Sequence, residues 1–445
     1  MKKKKIYLIF IILSLVFGIM FSILIPLYQV PDEETHINSI YSFLGEEKNF
    51  LSETEYYGDT SRITNNYQEK VNLEKYFDFS KKINVLEEVK FVDFHIVRYL
   101  PQTIGIIISE IFNFPIVVSI TLSEILAVLF YTTICLIALK KMPIKKEILM
   151  MIMLLPMSVQ QMGSFSYDMI LNAFSFLFIA YILHLKLEKE KIKNIDLIKL
   201  IMMIGIIAIV KIPYILLGLL IFTLPREKIF FLSKFKKKKI NWLLFMLITL
   251  LFGIVFYKYL ITISYVKVIL AFVLNPVGGV KLILRTILHS IKFYITTLLG
   301  NFGWFDVPVF NGFYVFIIFS ILFVSLLSNY DKKIFNQKEK LFILIFAIIF
   351  FFIIMISMFD WTLYYNGINT SNFTILDYTN YISSLKYILG VQGRYLIPIV
   401  PLLLILINFD INIKNKSKIL MLYQYLYYVV IFVYMFIVIL NRYWI

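Results

Sequence analysis

The chain has 445 residues, of which 60% are hydrophobic and 16% charged, whereas a soluble domain carries about a quarter charged residues. Apolar runs near or above the ~18–20 residues that cross a bilayer recur throughout, so a soluble globular protein is excluded and a multi-pass membrane protein is indicated. The net charge of +16 does not point to nucleic acid: clusters at 2–5, 140–146, 186–199, 226–239, 332–340 and 414–418 hold 27 of the 44 Lys and Arg, with 8 acids in and beside them. Everything else carries 17 basic and 20 acidic residues, and such segregation reports topology, because basic loops stay in the cytoplasm.

The N-terminal "MKKKK" followed by Ile6–Tyr28 predicts a retained first span at ~6–28, too long for a signal and without a small-residue cleavage pattern. An outer segment, 29–114, follows and ends in "FHIVRYLPQTIGIIISEIFNF" (94–114), where the charge distribution favours an interfacial helix over a span. Spans are predicted at ~115–139, ~147–164 and ~169–187. Cys135, inside the first of these, is the single cysteine and leaves no intrachain disulfide. The apolar stretch 196–224 is broken by "VKIPY" (210–214) and reads as two short helices. A span at ~241–260 leads to a second outer segment, 261–309, and spans at ~310–329 and ~340–359 lead to a third outer loop, 360–394. Spans at ~395–409 and ~419–440 complete the series.

The expected fold is all-α: one polytopic transmembrane domain over 1–445, with about eleven transmembrane helices (ten to thirteen) and interfacial helices in the long outer loops. The N-terminus is expected in the cytoplasm. No Walker motif suggests nucleotide-driven transport, and no inverted repeat suggests a secondary transporter. Long connections on one face are usually functional, so the work is expected at the outer face.

Three stretches carry candidate chemistry. In "VPDEETH" (30–36), a helix starting after Pro31 would place Asp32 and Glu33 within one turn of His36. The cluster reads as an N-terminal cap, as a carboxylate general base with its neighbours, or as part of a divalent-cation site through Asp32 and His36. In "GVQGRYLIPIVP" (390–401), Arg394 either snorkels to the headgroups or, beside Gln392 and Gly393, grips a phosphate. Lys211 in "IVKIPYI" sits between apolar helices, where an ammonium needs water, a carboxylate or a phosphate. Asp168 in "QQMGSFSYDMILN" and Asp306 in "GNFGWFDVP" precede spans, and each reads first as a helix cap.

In order, "PDEETH", "RYLPQTIGI", "LLPMSVQQMGSFSYDMILN", "VKIPYILLGLLIFTLP", "GNFGWFDVP" and "GVQGRYLIPIVPLLL" resemble a bacterial family of multi-pass membrane proteins placed near the GT-C glycosyltransferases. The resemblance runs from about 26 to 408, with "PDExxH" and "GVQGRY" its most specific parts. It implies a GT-C-like fold in the bacterial cytoplasmic (inner) membrane. It also implies transfer of a sugar from a polyprenyl-phosphate donor to a glycan or lipid acceptor at the extracytoplasmic face. Asp32 is then the base, with Glu33 or His36 holding it or the acceptor. Asp168 matches a second outer carboxylate by position, and Lys211, Gln392 and Arg394 take the donor phosphate. A lipid-linked glycan polymerase or ligase, and a non-catalytic flippase, are the competing expectations.

Overall fold

The computed structural model of the chain describes residues 3–44, 68–80, 94–229, 264–328, 335–408 and 413–445. The expected span at ~241–260 and most of the polar part of 29–93 lie outside the described residues. Within them the protein is all-helical, with one isolated backbone bridge, Ile192 to Ile229, and no strand.

Six stretches are long and apolar enough to cross a membrane. They are α1 (Lys3–Leu24), α4 (Ile116–Lys141), α7 (Asp168–Leu187), α10 (Pro276–Leu299), α12 (Gln337–Ser357), continued by α13 (Phe359–Tyr365), and α16 (Lys416–Tyr443). Shorter elements fill in between them: α2 (Glu33–Phe43), α3 (Leu100–Ile111), α5 (Lys146–Met153), α6 (Pro156–Met162), α8 (Asn194–Val210), α9 (Ser264–Leu274), α11 (Asn311–Leu327), α14 (Ile375–Ser384) and α15 (Val400–Leu406). The 3-10 segments Phe94–Tyr99, Ile212–Thr223, Arg226–Lys228 and Gly393–Ile399 and the single helical turn Leu73–Tyr76 complete the set.

Several expected spans are interrupted, and each interruption has a local cause. The run expected at ~147–164 divides into α5 and α6, because Pro156 cannot donate to the preceding turn. The freed carbonyls are met by side chains: Tyr131 Oη donates to Met153 O at 2.9 Å and Ser158 Oγ to Ile152 O at 3.0 Å. The break expected at "VKIPY" is present, with α8 stopping at Val210, Lys211 extended and Pro213 opening the 3-10 segment. α3 doubles back along the first half of α4, with Gly105 against the backbone of Ser123. α1 packs along α4 through Ser14 Oγ and Thr132 Oγ1, 2.7 Å apart.

The described lysines of these clusters gather at one end of the bundle. Lys186 pairs with Glu339 at 2.5 Å, and Lys228 Nζ donates to Lys186 O at 2.8 Å. The buried ammonium of Lys145 donates to the carbonyls of Ser325, Leu404 and Ile407.

The opposite end is drawn together by the end of α16. Arg442 binds Asp306 through Nη2 at 2.6 Å and Nε at 2.9 Å, both residues being buried. Asp306 therefore does not cap the next span, which begins only at Asn311; its partner is the last turn of α16. Around this pair, Val71 N donates to Tyr443 O, Trp304 Nε1 to Tyr28 O and Trp444 Nε1 to Leu24 O, all at 2.7–2.8 Å. Gly303 has φ +59, and any Cβ there would strike the hydroxyl of Tyr443. Removing one member of a buried ion pair costs about 3–5 kcal/mol, whereas replacing both by apolar groups is close to neutral. Arg442→Ala should therefore lower the melting temperature of the detergent-purified protein markedly, and Asp306→Leu with Arg442→Met should restore most of the loss. A single variant that melts like wild type would exclude the pair as a determinant of stability.

Candidate functional site

The end of the bundle opposite the lysines is where helices are interrupted, and four interruptions meet there. The first is the turn between α1 and α2, where Tyr28 (φ 66) and Asp32 (φ 68) are left-handed. Aspartate tolerates this conformation better than most residues, yet it still stores strain of the kind found at ligand sites. The others are the α6–α7 junction at 163–167, the break at Lys211, and the turn before Arg394.

Glu33 fastens the first interruption to the second. Its Oε2 accepts from Tyr28 N at 2.8 Å and its Oε1 from Phe165 N at 3.1 Å, and the residue is 1% exposed. Expected beside Asp32 as part of the catalytic group, Glu33 has both oxygens bound to backbone amides and acts as a bracket between α2 and the α6–α7 junction. Asp32, one residue earlier, keeps a side chain that is 56% exposed.

Arg394 joins the pieces. Its guanidinium is 4% exposed and stands between two carboxylates, with Nη2 3.5 Å from Asp32 Oδ2 and Nε 3.5 Å from Asp168 Oδ2. It is buried, so it does not snorkel. Asp168 is the first residue of α7, and its carboxylate turns to Arg394 and to Gln161 Nε2 (3.1 Å), with Gln161 steadied in turn by Asn172 (2.7 Å). Lys211 Nζ lies 3.6 Å from the ring centre of Tyr395 and 5.9 Å from those of Tyr167 and Tyr214. Among the described residues no carboxylate pairs with it; aromatic faces meet the ammonium instead. His36 completes the wall, with Nδ1 2.7 Å from Tyr99 Oη and its ring edge-on to Tyr167 at 4.8 Å.

Several buried polar atoms on the elements of this group have no hydrogen-bond partner among the described residues: Gln392 Oε1, Asp168 Oδ1, Ser164 Oγ, Gln102 Oε1 and both ends of the Gln160 amide. Unpaired buried polar groups are costly, and those beside Arg394 are open to a polar partner.

The height of Arg394 is set by α10. Asn275, Thr286 and Thr297 are eleven residues apart, about three turns, and so share a face of the helix. Asn275 Nδ2 donates to Ser383 Oγ at 2.9 Å, Thr286 Oγ1 accepts from Ile388 N at 2.9 Å, and Thr297 Oγ1 accepts from Gly393 N at 2.8 Å. Eleven helical residues and five extended ones both cover about 16 Å, so the strap 388–393 runs alongside α10 in register. Gly393 lies so close to the carbonyl of Tyr294 that a side chain at that position has no room.

The tyrosines escaped the sequence reading. Tyr99, Tyr167, Tyr214 and Tyr395 line the site, and two of them follow an arginine in the repeated "RYL" of 98–100 and 394–396, a signal that was available. The divalent-cation set expected from Asp32 and His36 is not assembled. Asp32 faces a guanidinium, His36 Nδ1 is engaged with Tyr99, and no group of three His, Cys, Asp or Glu among the described residues could hold a metal ion.

Burial shifts two groups of α2 in opposite directions. It lifts the Glu33 carboxyl to about 7, a rise limited by the backbone amides that Glu33 accepts. It draws His36 down to about 4, opposed by Asp32 and Asp168 and reinforced by Arg394 and Lys211. Glu33, raised when folded, loses stabilisation as pH rises from 4.5 to about 7; His36, depressed when folded, gains it as pH rises from about 4 to 6.5. The two slopes oppose each other between 4.5 and 6.5, each at most about 1.4 kcal/mol per pH unit. Wild type should melt with little pH dependence in that window. Glu33→Gln should expose a melting temperature that rises with pH, and His36→Gln one that falls. Parallel profiles in both variants would remove these groups from the titration.

A family model matches residues 15–403, under the description "Predicted membrane protein (DUF2142)". No curated protein and no solved structure matches the chain. The match covers most of the sequence, and the four interruptions fall within it, while α16 lies beyond it. The chain belongs to the DUF2142 family of multi-pass membrane proteins.

Proposed function

We propose that this protein is a GT-C-type glycosyltransferase that moves a sugar from a polyprenyl-phosphate donor to a glycan or lipid acceptor at the extracytoplasmic face of the cytoplasmic membrane. The observation that carries the reading is the buried Arg394 between Asp32 and Asp168, with Lys211 caged by tyrosines next to it. Four distant segments supply two cations and two carboxylates to one place in a largely apolar bundle. The placement of the lysine clusters at the far end of the bundle supports an outward-facing site.

The residues divide the reaction between them. The acceptor oxygen forms a bond to the anomeric carbon while the bond from that carbon to the phosphate oxygen breaks. The acceptor proton passes to Asp32, whose exposure lets an acceptor approach. The phosphate leaves with the electron pair, and cations beside it stabilise the growing charge, so no general acid is required. Arg394 is the phosphate's bidentate partner and Lys211 its second cation. At 3.5 Å the pairs of Arg394 with Asp32 and Asp168 are loose, so an incoming phosphate can take the guanidinium and release Asp32 to act as base. Asp168, held by Gln161, fixes the far edge of Arg394. Gln392, with an unpartnered carbonyl oxygen, is placed to accept from a sugar hydroxyl.

Purified full-length protein in nanodiscs, given a panel of polyprenyl-phosphate sugars, is expected to transfer sugar. Asp32→Asn and Arg394→Ala should each lower the rate about 100-fold or more; the exposed Asp32 variant should melt like wild type, whereas loss of the buried Arg394 should also lower the melting temperature. Transfer that survives Asp32→Asn would return Asp32 to a helix-capping role. Absence of transfer with every donor would reject the transferase in favour of a carrier or a non-catalytic member of the fold.

A further inference from the structure

α10 has three distinct faces. Leu282, Ile283, Thr286, Tyr294 and Thr297 are buried against α14 and the strap that leads to Arg394. On the far side, Val277, Val280, Leu284, Leu288, Ile291 and Ile295 form an exposed stripe, each at least 41% exposed. Between the two faces, exposed Lys281, Arg285, His289 and Lys292 fall within an arc of about 80° at the helical period. His289 stacks on Tyr387 at 4.2 Å. No acid occurs from 264 to 299, and among the described residues none of Lys281, Arg285 and Lys292 pairs with a carboxylate.

Both ends of α10 are tied to the site end of the bundle. Asn275 holds Ser383 at one end, and at the other Thr297 holds Gly393 while Gly300 meets Pro156. Its length of about 36 Å therefore runs across that end and does not run from one end of the bundle to the other. As a span it would expose three unpaired cations to hydrocarbon, which is expensive. Facing water, it would leave six large apolar side chains wet, a patch that soluble surfaces avoid. The boundary between headgroups and acyl chains satisfies both stripes at once.

We propose that α10 lies in the headgroup layer, with its apolar stripe among acyl chains and Lys281, Arg285 and Lys292 on the phosphate oxygens of anionic phospholipids. The surface is independent of the proposed transfer reaction. Its position has a consequence for any reaction here, because the same helix fixes the strap and so sets the level of Arg394 relative to the lipid phosphates.

The test uses full-length protein in nanodiscs of phosphatidylcholine, with and without phosphatidylglycerol. Spin labels go at Val277→Cys, Leu284→Cys and Ile295→Cys in a Cys135→Ala background, and depth is read from their accessibility to oxygen and to a water-soluble nickel chelate. The three labels should lie at one shallow depth below the phosphates. Phosphatidylglycerol retained by the detergent-extracted protein, counted by native mass spectrometry, should fall at least tenfold in Lys281→Gln/Arg285→Gln/Lys292→Gln, since each surface cation contributes about a factor of five. A depth difference approaching the ~27 Å rise between positions 277 and 295 would make α10 a span and overturn the proposal. Labels in water, phosphatidylglycerol unchanged in the triple variant, or its displacement by millimolar inorganic phosphate would equally overturn it.

Discussion

A guanidinium held away from water inside an apolar bundle has to be met by charge, and one end of this protein is organised around meeting it. Arg394 is buried, and the groups that answer it come from the turn after α1 and from the start of α7. Neither carboxylate can be placed there by a continuous helix. The chain must stop and turn, and the freed backbone groups need partners of their own. Glu33 supplies two of these partnerships, binding the amides of Tyr28 and Phe165. The interruptions of the helices and the cluster of polar side chains thus have one origin: the backbone cannot remain regular where side chains must converge.

Around that cluster the tyrosines have a separate electrostatic role. An ammonium next to a guanidinium is repelled by it, and Asp168 offsets that repulsion without forming an ion pair with Lys211. The ring of Tyr395, 3.6 Å from Nζ, offers a negative face without a net charge. The site can therefore hold two cations near each other and remain receptive to an anion, whereas a third carboxylate would have neutralised it. Tyr214 adds rigidity, its hydroxyl donating to the carbonyl of Tyr395 at 2.7 Å.

Much of this was legible from sequence, and what was missed follows a pattern. Helical class, membrane residence and the break at Lys211 all follow from apolar run length and from proline. The pairing of Asp32 and Asp168 with Arg394 could be anticipated only as residue types, because no local period links positions so far apart. Glu33 and Asp306 were read by neighbourhood, the one as a companion of Asp32 and the other as a helix cap. Each instead serves a long-range contact, with Phe165 and with Arg442. Spacing along the chain reports what a helix face presents, and only packing decides which partner that face meets. Thr286 and Thr297 show the limit, since their eleven-residue interval was present in the sequence but acquires meaning only beside an extended strap of matching length.

The clasp between Arg442 and Asp306 also bears on the order of assembly. A membrane chain is threaded from its N-terminal side, so α1, the turn at Tyr28 and the segment around Val71 are in place long before α16 emerges. Yet Leu24, Tyr28 and Val71 receive their contacts from Trp444, Trp304 and Tyr443. That end of the bundle must therefore wait, half-built, while the 372 positions from Val71 to Tyr443 are still to be threaded. Insertion of α16 is then a closing event, and a chain stalled before it would leave unmatched charge in the membrane for quality-control proteases to recognise.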